Sequence, residues 1–208
     1  MSIFDLLFLL IVLGSIATLI LALIATLRRR WPLARRSALI LIAIWVFYLG
    51  AGTLLAVATP QKTIAIGQDR CFDEMCFAVP SVHRAPAIGT TQASGIFQVV
   101  TIRISSQSRG RVQHESGRIA TILDQSGTTY LPSPIGTQAF ATINGPQPSL
   151  ESDLDPAQTL TTNVVFDIPT TAPHPALALS SNLTFYPPRL ILGDPMHFLH
   201  KPTITPLD

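Results

Sequence analysis

Residues 6–27 read LLFLLIVLGSIATLILALIATL, a run of 22 residues without a charge. A second uncharged run, Ser37 to Ala58, follows after the segment RRRWPLARR at 28–36. As helices rising about 1.5 Å per residue, both runs reach across a hydrocarbon core of about 30 Å. A helix also satisfies its own backbone hydrogen bonds, which lipid demands. Arg28, Arg29, Arg30, Arg35 and Arg36, with Asp5, are the only charged side chains before Pro60. The pattern predicts two transmembrane helices, 6–27 and 37–58, joined by a short basic loop, 28–36.

The first run does not read as a cleaved signal peptide. It lacks a positive leader, it is long for such a segment, and its basic residues come after the apolar stretch. That charge order predicts an N-terminus facing outward. The five arginines hold their loop in the cytoplasm. The second helix then returns the chain, so residues 60–208 are expected outside the cytoplasm. Trp31 reads as an interface anchor and Pro32 as a turn former. Gly14, Thr18 and Ala22 form a small-residue stripe that lets helices approach closely. The approach is either between the two helices of this chain or between copies in a homo-oligomer. Trp45 and Tyr48 fall in mid-helix, and Tyr48 is expected to need a hydrogen-bond partner on a neighbouring helix. Neither run carries a charge at mid-depth, which argues against a pore or an ion carrier.

From Pro60 the texture changes. This region holds nine of the 14 bases and eleven of the 12 acids, so it has no basic excess and no nucleic-acid partner is expected. Sixteen of the 17 prolines lie here, which argues against long helices. Short runs of Val, Ile, Thr and Phe alternate with turn residues. IFQVVTIRI at 96–104 is the clearest strand: Phe97, Val99, Thr101 and Arg103 point one way, Ile96, Gln98, Val100, Ile102 and Ile104 the other. Further strands are read at 76–82, 118–123, 128–131, 158–168, 177–181 and 189–192. Such spacing predicts an all-β sandwich with one core.

Three segments carry a resemblance: GIFQVVTIRISSQS (95–108), RIATILDQSGTTYLP (118–132) and LDPAQTLTTNVVFDIP (154–169). They resemble the extracytoplasmic immunoglobulin-like domains known as DUF4352, over roughly residues 76–181. The resemblance includes the hairpin Leu123 to Tyr130 and the strand end Val165-Phe166-Asp167-Ile168-Pro169. It implies an immunoglobulin-like sandwich anchored at a bacterial membrane, with no activity and no functional residue to carry over. Every motif residue also has a structural reading. Asp124 and Gly127 suit a turn, Tyr130 packs its ring with a wet hydroxyl, and Pro169 ends a strand.

Cys71 and Cys76 have the spacing for opposite sides of a tight hairpin, and an outer compartment favours a disulfide between them. A redox motif has two intervening residues, not four, and a zinc site needs two more ligands. His197 and His200 could share a helical turn, and Glu151, Asp153 and Asp155 form an acidic cluster, but neither set matches a metal motif. No nucleophile with a recognisable partner stands out. No cofactor, metal or catalytic residue is expected, and the chain is expected not to be an enzyme. The expected role is a binding module facing a protein or cell-envelope partner. An accessory subunit of a membrane complex is the alternative, and an envelope-acting hydrolase would need His83, His114 or His174 beside a carboxylate in a cleft. The tail 187–208 either adds an edge strand or wraps the domain. Asn182-Leu183-Thr184 is a glycosylation sequon.

Overall fold

A computed structural model describes residues 3–181 and 201–208, arranged as two compact units. The expected strand 189–192, the sequon at Asn182, and His197 and His200 lie outside the described residues.

The helical unit is a pair, α1 (Ile3–Leu27) and α2 (Trp31–Ala58). The connection is shorter than the expected loop 28–36. Arg29 takes a left-handed conformation (φ 55°), while Arg29 and Arg30 donate backbone hydrogen bonds to Thr26 and Ala25. This closes α1 with a Schellman turn. Pro32 then sits in the first turn of α2, where its missing N–H costs nothing. Arg35 and Arg36 therefore ride on α2, not on a loop. The small-residue stripe is also split. Thr18 and Ala22 are half-buried and, with Ser15 and Ala25, repeat at the spacing of a helix-packing seam, whereas Gly14 faces outward with open space at its Cβ position. Across the pair, Trp45 donates to the Ser15 hydroxyl (3.1 Å). Tyr48 is buried with its ring edge-on to Trp45, 5.9 Å between centres.

The second unit is a β-sandwich. Its strands are β1 (Arg70–Phe72), β2 (Met75–Ile88), β3 (Thr91–Ser106), β4 (Arg118–Leu123), β5 (Thr129–Tyr130), β6 (Thr159–Ile168), β7 (Ala176–Ser181) and β8 (Ile204–Pro206). They form two antiparallel sheets in the orders β1-β2-β3-β6 and β5-β4-β7-β8. β3 pairs β6 in one sheet while β4 pairs β7 in the other, so the chain crosses between sheets three times, after β3, after β5 and after β6. This is the immunoglobulin-like arrangement: β2, β3 and β6 stand as strands A, B and E, and β5, β4, β7 and β8 as C′, C, F and G. The tail supplies an edge strand, β8, which pairs with β7.

β2 is longer than the expected 76–82 because its two internal prolines are accommodated. Its register shifts between Ala78 and Ser81 and between Ala85 and Ala87, the positions of Pro80 and Pro86. Beyond Phe77, β2 is an edge among the described strands, and prolines are tolerated at edges and bulges.

The sheets enclose a core of Phe77, Val100, Ile102, Ile104, Ile122, Phe166 and Leu177. The alternation of 96–104 places Val100, Ile102 and Ile104 in it. The opposite face of the same strand is not left to water. Phe97, Val99 and Val165 form a second cluster against Ala139 and Phe140. Those two residues belong to α3 (Pro134–Asn144), a helix absent from the sequence reading. Ser133 caps it by accepting from Gly136 N–H (3.1 Å), Pro134 opens it, and Gly145 follows its end with φ 82°. Gly136 lets it approach: a Cβ there would meet Val165 Cγ1 at 2.7 Å.

Candidate functional site

Where β5 ends, an open cleft of about 510 Å³ separates β4 from β6. Ile119 and Ala120 from β4, Leu131, Pro148, Leu150 and Val164 from β6 give it a mostly apolar wall. Its size and lining are those of a ligand site. Its polar side chains are engaged within the domain. Gln147 Oε1 accepts from the backbone and side-chain nitrogens of Asn163 (3.2 and 2.9 Å), and Thr162 donates to Pro148 O (2.7 Å). Glu151 accepts from Gly117 N–H (2.7 Å). Arg118 pairs with Glu115, and its guanidinium lies 3.8 Å from the centre of the Phe72 ring. The cleft is thus a pre-formed apolar surface rather than a set of waiting acids and bases.

Phe72 is presented by the β1–β2 hairpin, in which Cys71 and Cys76 are directly opposite and joined by a disulfide. Asp73 makes the tight turn with φ 55°. Arg70 stacks on the same ring at 4.3 Å and donates to Thr203 O (3.3 Å). Burial lowers its guanidinium to about 10, so it stays charged at neutral pH. Replacing both cysteines with alanine should cost about 2 kcal/mol of stability, since the closed loop is short. Urea unfolding would read this, and unchanged midpoints would remove the disulfide from the account.

The hairpin after β4 turns on Asp124, which is buried and accepts from Ser126 Oγ (2.5 Å), Thr128 N–H (2.9 Å) and Tyr130 Oη (3.0 Å). The half-buried Tyr130 hydroxyl is therefore a partner of the turn, a bond the sequence reading did not assign to it. Hydrogen bonds, that from Ser126 foremost, hold the Asp124 carboxyl below its ordinary value, against the opposing effect of desolvation. Burial, then the bond to Asp124, raises the Tyr130 phenol. The signs predict a two-sided pH response. The Asp124 contribution is whole above about pH 4 and is lost as pH falls through the depressed folded value. That of Tyr130 is whole below about pH 10 and is lost as pH rises through its raised value. Asp124→Asn should flatten the acid limb of thermal stability against pH, and an acid limb of wild-type slope would refute the assignment.

The remaining candidates disperse. His114 pairs with Asp153 and His174 with Asp208, each at 2.8 Å, but all four are solvent-exposed. His83 is exposed on β2. Glu151 is turned to Gly117 and Asp153 to His114, so the acidic cluster converges on nothing, and no group of three metal-ligating side chains occurs among the described residues. Sequence reasoning missed the cleft because its walls come from β4, β6 and two loops far apart in the chain.

No protein-family model matches the chain, and no curated protein matches it in sequence. Solved structures resemble its fold. A conserved hypothetical protein from Bacillus anthracis is similar at 14% identity, over 58% of this chain and 91% of that one, with a TM-score of 0.46. An uncharacterized β-sandwich protein from Clostridium difficile is similar at 12% identity, over 72% and 96%, with a TM-score of 0.43. A secreted protein from Mycobacterium tuberculosis is similar at 13% identity, over 61% and 94%, also at 0.43. At these scores the likenesses carry no argument, and the assignment of the fold rests on the strand pairing itself.

Proposed function

We propose that the chain is a membrane-anchored, extracytoplasmic binding module without catalytic activity, and that its partner docks in the cleft between β4 and β6. The observation that carries this reading is the pre-formed apolar cleft with its polar groups already engaged. Such a site favours burial of partner surface over chemistry. The two helices support the anchoring: over 6–27 and 37–58 their outward faces carry no charge, with Phe47 79% exposed in mid-helix. Arg28, Arg29, Arg30, Arg35 and Arg36 cluster where the pair turns, which the positive-inside rule places in the cytoplasm. The DUF4352 resemblance belongs to the same reading. The partner is a protein or cell-envelope component.

Two measurements test it. A reporter active only in the cytoplasm, fused after Asp208, should be silent; a bright signal overturns the topology. A photo-crosslinking side chain at Leu131, on the cleft, should capture a partner in intact cells that one at Ile143, on the exposed side of α3, does not. Equal capture, or none, removes the cleft from the reading.

One observation favours a second role within the helices. An apolar groove of about 460 Å³ runs along the pair, lined by Leu7, Ile11, Ala43, Phe47, Tyr48 and Ala51. It suits a third helix, as an accessory subunit of a membrane complex, or a second copy of this chain, would supply. Ala43→Leu and Ala51→Leu together would fill the groove and should abolish co-purification of such a subunit in mild detergent.

A further inference from the structure

We infer that the arginine-rich turn between α1 and α2 is a docking surface for the headgroups of anionic phospholipids. The inference rests on the helical pair being embedded in a membrane, and adds which lipid gathers at its turn and which side chains hold it.

Arg28, Arg29 and Arg30 occupy three successive positions, and Arg35 and Arg36 follow in the first turns of α2. All five are solvent-exposed, and none forms an ion pair among the described residues. The one acid before Pro60, Asp5, belongs to the first turn of α1, about 34 Å from Arg28 along the helix axis. It cannot reach the turn. The partial charges of the two helix ends that meet here are negative for α1 and positive for α2. They offset each other, so the field at the turn is that of five guanidinium groups. Arginine stays charged at every working pH, and successive Cα atoms are only about 3.8 Å apart. The five therefore repel one another, and an external anion relieves them.

The backbone fixes the surface. Arg29 and Arg30 donate to Thr26 O (2.9 Å) and Ala25 O (2.8 Å), which folds the turn back on the end of α1. Leu33 and Ala34 donate to Arg30 O (3.1 and 3.2 Å), which ties it to the start of α2. The arginines are thus held at the helix ends. Their apolar neighbours set the depth. Leu27 is 76% and Trp31 67% exposed, on either side of Arg28, Arg29 and Arg30. An indole resides at the boundary of headgroups and hydrocarbon. From that depth the long arginine stems carry their charges into the phosphate layer. Trp31 and Arg35, at i and i+4, share one face of α2. An arginine fork matches two oxygens of one phosphate. The ligand class is a phospholipid of net negative charge, since a zwitterionic lipid brings its own cation and leaves the charge of the turn as it was. A soluble acidic segment would meet the arginines from the water side only, with nothing to cover Leu27 and Trp31.

The test uses the full chain with Trp45→Phe, which leaves Trp31 as the sole tryptophan, in phosphatidylcholine vesicles. A minor fraction of the lipid is chain-brominated phosphatidylglycerol or, in a matched series, chain-brominated phosphatidylcholine. Bromine quenches the tryptophan it touches. Wild type repeats the measurement if Trp45→Phe lacks the helix content of wild type by circular dichroism. At low salt phosphatidylglycerol should be favoured at the turn by about five-fold for each arginine engaged, and the preference should fall as salt rises. Changing all five arginines to glutamine should abolish it. If that chain is not recovered in membranes, Arg35→Gln with Arg36→Gln keeps three of the charges and should lower the preference by about five-fold or more. Equal quenching by the two lipids at low salt overturns the inference and leaves the anchoring intact, as does a preference that survives these substitutions. If neither lipid quenches Trp31, the turn is not at a membrane and the anchoring reading fails with it. If the lipids quench equally and soluble polyglutamate binds in an arginine-dependent way, the surface takes an acidic protein segment and the lipid assignment fails.

Discussion

Phe166→Ala should lower the unfolding free energy of the sandwich by about 4 kcal/mol, the cost of a large cavity in a close-packed core. Phe166 is fully buried in the inter-sheet cluster with Phe77, Ile102 and Ile122. It lies on β6, opposite Gln98 of β3, so the cavity opens where the sheet is hydrogen-bonded most continuously and cannot collapse by a loop shift. Gln98 is itself fully buried, and with its amide oxygen turned to Arg84 it accepts from Nε and Nη2 at 2.9 and 3.2 Å. The variant therefore leaves a void beside a buried polar group, which adds to the loss. Phe166→Leu keeps most of the volume and should cost less than half as much. Urea denaturation followed by tyrosine fluorescence checks both, and near-equal midpoints for wild type and Phe166→Ala would show that the two sheets do not pack through this residue.

Gly95→Ala should cost about 3 kcal/mol, although it adds a single methyl group. A Cβ at Gly95 would stand 2.2 Å from Ile168 O and 2.9 Å from Pro169 Cα. Both obstacles are main chain, so no rotamer change relieves them. The close approach is held by Asp167, whose carboxylate accepts from Ser94 N–H (2.8 Å) and Gly95 N–H (3.0 Å). To admit the methyl group, β3 and β6 must separate at the start of their ladder. Gly127→Ala is the comparison: its φ of 87° disfavours a side chain, but no heavy atom lies within 4 Å of the added Cβ. It should cost about 1 kcal/mol, from backbone strain alone. A Gly95→Ala chain with the Tm of wild type would mean that the strands can part there without loss.

Much of the architecture was legible in the sequence because it follows from local period and composition. Two uncharged runs longer than a bilayer core declare helices wherever they sit. The alternation at 96–104 declares a strand, since only a repeat of two separates Val100, Ile102 and Ile104 from their neighbours. Cys71 and Cys76 were paired by the reach of a tight hairpin. Local reasoning also erred where one signal overrode another. Sixteen prolines from Pro60 onward weighed against long helices, yet Pro134 starts α3, because at a first helical position the missing N–H is no loss. The strand read at 76–82 stopped short of Pro86, yet β2 runs on to Ile88 with Pro80 and Pro86 at its bulges.

The tertiary structure alone decided three things. It showed that β3 is covered on both faces, because only packing brings Ala139 and Phe140 against Phe97 and Val165. It showed the role of Asp167 and Tyr130, whose partners are set by strand register and turn geometry rather than by residue type. And it made the cleft, whose walls at 119–120, 131, 148–150 and 164 are separate in the chain. A period of two tells which side chains share a face, but the cleft arises from where β5 stops and where Pro132 takes the chain, and that is a property of the folded sheet.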